Sequence, residues 1–154
     1  MGAQHVVEFG TSFGISSIYL AAAMRDNGGY FVGSDIDANK VAVARRNLDD
    51  AGLSGVSEVR EGDALETLQD ISVPVDLVFL DGWKDLYLAV LDLLTPKLSK
   101  GAVVLADNIY FPPMVRKTMK HYVAYMHDPA NGFRSSTLKL GAGTEYSVFE
   151  GHTR

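Results

Sequence analysis

Five short apolar runs alternate with stretches of helical period, and that alternation limits the chain to very few folds. HVVEF (5–9) reads as a buried strand, and ISSIYLAAAMRDN (15–27) as a helix stopped by Gly28-Gly29. YFVGSD (30–35) is a second strand, followed by a helix over ANKVAVARRNLDDAG (38–52) with Val41, Ala44 and Leu48 on one face. VSEVREGD (56–63) alternates as a third strand and leads into a short helix, ALETLQD. VDLVFLD (75–81) is the fourth strand, DLYLAVLDLLTPKL a helix ending near Pro96, and GAVVLADN (101–108) the fifth strand. Such alternation implies right-handed crossovers and a mostly parallel sheet with helices on both faces. The texture then changes. MVRKTMKHYVAYMHD (114–128) is helical, and FRSSTLKL and TEYSVFEG flank Gly141-Ala142-Gly143, which predicts an antiparallel hairpin at the sheet edge. The expectation is a single α/β domain spanning residues 1–154.

Composition removes several classes of function. The chain has a net charge of −5 and no basic block beyond Arg116-Lys117 and Lys120, which argues against nucleic acid as a partner. It has no cysteine, hence no disulfide framework and no thiolate metal site. No apolar run approaches the roughly 20 residues that span a bilayer, so no membrane partner is expected and the cytoplasm is the simplest location.

In an open parallel sheet, ligands bind beyond the carboxyl ends of the strands. Here those ends are Glu8-Phe9-Gly10, Ser34-Asp35, Gly62-Asp63, Leu80-Asp81 and Ala106-Asp107-Asn108, and every one carries an acid. One or two could be helix caps; five on one edge suggest a site. EFGTSFG (8–14) follows a strand and opens a helix, so backbone at Gly10 and Gly14 can approach a ligand and helix amides can meet an anion. It is not the dinucleotide fingerprint, because Ser12 stands where the second glycine belongs. Asp35 is placed to take two ribose hydroxyls. VFLDGWKD (78–85) is the most unusual stretch, delivering Asp81, Trp83, Lys84 and Asp85 at the end of a buried strand.

These residues resemble the class I S-adenosylmethionine-dependent methyltransferases, and more narrowly the cation-dependent catechol O-methyltransferase family. The resemblance runs from about Val6 to Phe111, and more loosely through the final hairpin. VVEFGTSFGISS is similar to the family's glycine motif, SDID to its ribose-binding strand end, and AGL with EVREGDA to the stretch leading to the adenine pocket. VFLDGWKDLY and LADNIYFP are similar to its metal and substrate segments. A Rossmann-like fold is implied, with S-adenosylmethionine and Mg²⁺ or another divalent cation as cofactors. Glu8, Gly10 and Ser16 would line the methionine end, with the Ser16 hydroxyl near its carboxylate, and Ser12 and Gly14 would also bind the cofactor. Asp35 would hold the ribose, Ile36 cover one adenine face, and Asp63 and Ala64 lie along the adenine edge. Asp81, Asp107 and Asn108 are implied as metal ligands, with Asp81 also bordering the cofactor, and Lys84 as general base. Trp83, Lys84, Asp85 and Pro112 would line the substrate slot.

The chemistry is consistent with those roles. Two carboxylates and an amide oxygen suit a hard cation, and a vicinal diol can chelate it. Methyl transfer then needs mainly an in-line approach of nucleophile and methyl. The expected activity is O-methylation of a small vicinal-dihydroxy compound. Blander readings stay open: Lys84 as a solvated turn residue, Trp83 as cover for the sheet edge, Asp107-Asn108 as a left-handed turn. His5, His121, His127 and His152 lie outside every motif. Met119, Tyr122, Val123 and Met126 read as a core face, and Tyr19 as packing.

Two departures from the family bear on the substrate. Family members carry N-terminal helices that form a lid and one wall of the slot, whereas the first strand here begins at residue 5. A partner chain, as in a homodimer, or upstream residues would have to supply that wall. The animal enzymes also carry an acid just before the final hairpin, where this chain has Ser135-Ser136-Thr137, and a histidine where it has Gly82. Catechols, phenylpropanoids, flavonoids and non-aromatic diols all remain candidates. The alternatives are a cofactor-binding module without independent turnover and a nicotinamide-dependent dehydrogenase.

Overall fold

The computed structural model of the protein describes residues 2–110 and 113–151. The sheet is built outward from β1 (His5–Phe9), with β2 (Tyr30–Asp35) and β3 (Ser57–Glu61) on one side. On the other side are β4 (Val75–Leu80) and β5 (Leu98–Ala106), all five parallel. The hairpin of β6 (Phe133–Leu138) and β7 (Thr144–Phe149) completes the sheet, β7 running antiparallel against β5. The order is therefore β3-β2-β1-β4-β5-β7-β6, with its switch point between β1 and β4.

The period-2 alternation of β1 sends consecutive valines into two cores. Val6 packs with Phe31, Val41, Ala44 and Leu48 beneath α1 (Ile15–Asn27) and α2 (Ala38–Asp50). Val7 packs with Val78, Leu80, Tyr87 and Leu91 on the opposite face. That second core lies beneath α3 (Ala64–Thr67), α4 (Tyr87–Leu94) and α5 (Arg116–His127). Both faces of the sheet are thus covered, as a parallel sheet requires. Among the described residues, no helix is long and apolar enough to cross a membrane.

Most elements follow the sequence pattern, with several corrections. β5 starts at Leu98 rather than residue 101, because its register on β4 shifts between Val75 and Leu77 and admits the polar Ser99 and Lys100. The fourth helix is shorter than its pattern, since 3₁₀ turns at Lys84–Leu86 and Thr95–Lys97 replace its ends. Pro96 lies in the second of these. The helix from Met114 likewise begins as a 3₁₀ turn, Pro113–Val115. Tyr19 is not packing: it is 76% exposed on the outer side of α1. Met119, Tyr122 and Met126 are core residues as their spacing indicates.

Candidate active site

The sheet ladder continues one residue past the strand ends and so aligns the acids. Gly10 N–H donates to the Ser34 carbonyl at 2.9 Å and Asp81 N–H to the Phe9 carbonyl at 2.9 Å. Asp107 N–H reaches the Leu80 carbonyl at 2.9 Å, and Gly62 N–H the Asp35 carbonyl at 3.0 Å. These bonds align the acid-bearing strand ends, and those of β1, β2, β3 and β4 surround a cleft of about 640 Å³, a size suited to one small organic ligand.

The cofactor-side expectations divide in two. Gly10, Ser12, Asp35, Ile36, Asp63, Ala64 and Asp81 line the cleft, and Glu8, Gly14 and Ser16 do not. Both oxygens of Asp35 hold its surroundings in place, one accepting from Ser12 N–H at 2.7 Å and the other from Asp37 N–H at 2.9 Å. The first bond keeps Ser12 at a φ of 51°, left-handed for a non-glycine residue. Asp63 also caps α3 through Leu65 N–H at 2.8 Å, so the bland reading of that acid is true as well. Ile36 is 68% exposed at the rim.

Glu8 is fully buried and accepts hydrogen bonds from the hydroxyls of Ser16 and Ser17, each at 2.5 Å. Burial pushes its carboxyl above the usual range, and the two serine bonds pull it back in part. The structure thus turns the Ser16 hydroxyl into Glu8 rather than toward the cleft. The glycines also have reasons other than ligand access. A Cβ on Gly10 would sit 2.4 Å from the Gly82 nitrogen, while one on Gly14 would meet Ala44 of α2 at 3.1 Å. Gly14 therefore serves the α1–α2 contact, and its φ of 84° begins α1.

On the other flank, Asp81, Lys84, Asp107 and Asn108 come together. Lys84 is only 8% exposed, so it is not a solvated turn lysine. Its Nζ lies 3.5 Å from Asp81 Oδ1 and 2.5 Å from the Tyr87 hydroxyl. Burial lowers the Lys84 pKa, against the opposing pull of Asp81 and Asp107. Burial raises that of Asp81, with Asp107 adding to it and Lys84 opposing. Asn108 is in the left-handed region at φ 57° and donates its side-chain amide to Asp81 Oδ1 at 3.2 Å. The turn reading and the side-chain role coexist there. Asp107 Oδ1 accepts from the Thr144 hydroxyl at 3.1 Å, which ties β7 to the site. Among the described residues, no group of three or more His, Cys, Asp or Glu is placed to hold a metal ion. The Asp81, Asp107 and Asn108 set offers two carboxylates and an amide.

Trp83 lines the cleft and is 73% exposed, a wall open on one side. Asp85 does not line the cleft; its carboxylate accepts from the Thr118 hydroxyl of α5 at 2.9 Å. Pro112 lies outside the described residues. Gly82 is explained locally, because a Cβ there would strike the Phe9 ring at 2.6 Å. Sequence reasoning missed Asp37, which caps α2 through Asn39 and Lys40 N–H and lines the cleft beside Lys40. Its position before ANKVAV was the available signal. It also missed Tyr87 and the pairing of His127 Nε2 with buried Glu145 at 2.7 Å.

A glycine loop at the switch point, a cleft-lining carboxylate on β2 and an acidic corner on β4 describe a known arrangement. The profile of the methyltransferase domain family matches residues 7–109. The chain belongs to that family. Catechol O-methyltransferase of Mycobacterium tuberculosis is 36% identical over 108 residues, 70% of this chain and 49% of that protein. Catechol O-methyltransferase of Niastella koreensis is 31% identical over 111 residues, 70% of this chain and 50% of that protein. The chain thus spans about half the length of these curated relatives. Among solved structures, the O-methyltransferase of Bacillus cereus in complex with SAH superimposes with a TM-score of 0.84 at 27% identity. That match covers 96% of this chain and 74% of the other. The Rossmann-like class I methyltransferase fold is established by these matches, and membership argues against the nicotinamide alternative.

Proposed function

We propose that the protein is an S-adenosylmethionine-dependent O-methyltransferase acting on a small vicinal-dihydroxy, catechol-like compound with the help of a divalent cation. The observation that carries this reading is the convergence of Asp81, Lys84, Asp107 and Asn108 beside a cleft whose other flank holds Asp35. The names of the relatives and the SAH bound in the Bacillus cereus structure support it.

In this reading Asp35 takes the ribose hydroxyls, Ile36 covers one adenine face, and Asp63 and Ala64 follow the adenine edge. Glu8, braced by Ser16 and Ser17, shapes the methionine end behind Gly10. Trp83 forms one wall for the acceptor ring. Asp81 and Asp107 fit a hard cation, because they are neighbouring carboxylates: burial raises the Asp81 pKa, and repulsion from Asp107 adds to it. A half turn of the Asn108 side chain would add an amide oxygen without moving its backbone. When bound, the cation, Mg²⁺ in the simplest case, supplies the Lewis acidity that makes an acceptor hydroxyl easier to ionise. Lys84, its pKa lowered by burial, accepts the hydroxyl proton. The new oxygen–carbon bond forms as the sulfur–methyl bond breaks, and the sulfur leaves as the neutral thioether of S-adenosylhomocysteine.

The test is transfer of labelled methyl from S-adenosylmethionine to a panel of catechols and related diols, with and without EDTA. Turnover should require the cation. Lys84→Met should lose roughly 10²–10⁴ in rate, with partial recovery at high pH, where the acceptor is already ionised. Full activity in EDTA, or a wild-type rate for Lys84→Met at neutral pH, overturns the cation-and-base assignment.

A further inference from the structure

We propose that Tyr87 is a positioning residue that aims the amine of Lys84, an inference resting on the proton-accepting role just given to that lysine. Tyr87 opens α4 three residues after Lys84, and its ring is fully buried, edge-on to Phe9 at 6.3 Å and to Tyr122 at 5.5 Å. The hydroxyl emerges from this apolar stack beneath the site. Its proton is directed to the Leu80 carbonyl at 2.7 Å, with the Asp107 carbonyl at 3.1 Å. Those two carbonyls belong to the ends of β4 and β5 that carry Asp81 and Asn108.

A phenol has one proton, and here it is spent on main-chain carbonyls. The oxygen can therefore only accept from Lys84, whose Nζ donates to it at 2.5 Å. The same Nζ lies 4.7 Å from the centroid of the tyrosine ring. One N–H of Lys84 is thereby pinned to a fixed point, whatever the acids nearby are engaged with. Tyr87 is thus a bracket between the amine and both strand ends. It is not a proton relay, because its own proton has no route toward the cleft. A base displaced by about 1 Å can lose on the order of a hundredfold in rate.

The test compares Tyr87→Phe, which keeps the ring stack, with Tyr122→Phe. The second variant deletes another buried hydroxyl, one with no hydrogen-bond partner among the described residues, from the neighbouring ring. Lysine modification by an amine reagent, mapped by mass spectrometry, should show Lys84 protected in wild type and in Tyr122→Phe. In Tyr87→Phe, labelling of Lys84 should rise several-fold relative to the exposed Lys100. In the methyl-transfer assay kcat should fall roughly tenfold to a hundredfold in Tyr87→Phe. The KM for S-adenosylmethionine should stay within about twofold. Unchanged Lys84 labelling in Tyr87→Phe overturns the inference. An unaltered kcat in Tyr87→Phe, with a large loss in Lys84→Met, also overturns the positioning role but leaves the proposed function intact. A wild-type rate in Lys84→Met overturns that function and, with it, any catalytic purpose for the bracket.

Discussion

Asn108 reaches across from the end of β5 to the end of β4 and donates its side-chain amide to Asp81, 3.2 Å away, from a backbone at φ 57°. Backbone and side chain make opposite demands at this position. The backbone would be better served by glycine, since left-handed residues with a Cβ are strained. Asn108→Gly should therefore hold or raise stability, by up to about 1 kcal/mol, while cutting methyl transfer sharply. Urea denaturation and a turnover assay on the same preparation check both halves. A stable variant with full activity would remove Asn108 from the site.

Asp35 offers a second test, because its carboxylate holds two backbone N–H groups and faces the cleft. Asp35→Ala should cost roughly 1.5–3 kcal/mol of donor binding, at least tenfold in affinity. It should also loosen the Ser12 turn, which loses its anchor. Calorimetric titration with S-adenosylmethionine or SAH decides, and unchanged affinity would place the ribose elsewhere.

Gly10→Ala tests the loop beneath the cofactor. The added methyl carbon would lie 2.4 Å from the Gly82 nitrogen, on a backbone at φ 93° that disfavours any side chain. Neither neighbour is a flexible side chain that could swing away. We expect a lower melting temperature and loss of donor binding together; an alanine variant with wild-type affinity would show that the loop can yield.

Glu8 makes stability depend on pH in a defined direction. Its folded pKa is raised above the ordinary 4.5. Below that value, folded and unfolded chains both hold the proton and the group adds no slope. As pH rises, the unfolded chain releases its proton first, so stability declines by at most about 1.4 kcal/mol per pH unit until the folded pKa is passed. Glu8→Gln should abolish this slope, and its stability advantage over wild type should grow with pH above 4.5. Parallel urea midpoints for the two proteins across that range would contradict it.

The acids were legible in the sequence because each stands where an apolar strand pattern breaks, and parallel strands bring such breaks to one edge. The two-core sheet was legible for the same reason. What the sequence hid depends on contacts between distant segments. Asp85 sits beside Trp83 and Lys84, yet its partner Thr118 is on α5, and nothing local reveals that packing. Tyr87 reads as one more apolar position on an amphipathic helix; only the assembled strand ends give its hydroxyl a destination. Gly14 resembles a ligand-approach glycine, but its neighbour is Ala44 on another helix.

The approach of Gly10 to Gly82 has a consequence for how such a protein can diversify. The floor of the cleft is built of main chain against main chain, whose atoms are the same whatever amino acids surround them. Substitutions at Trp83 or Leu86 reshape the cleft from its sides without disturbing that floor. On the proposed function, acceptor preference can therefore drift, in evolution or in a directed library, while the backbone floor beneath a common methyl donor is inherited intact.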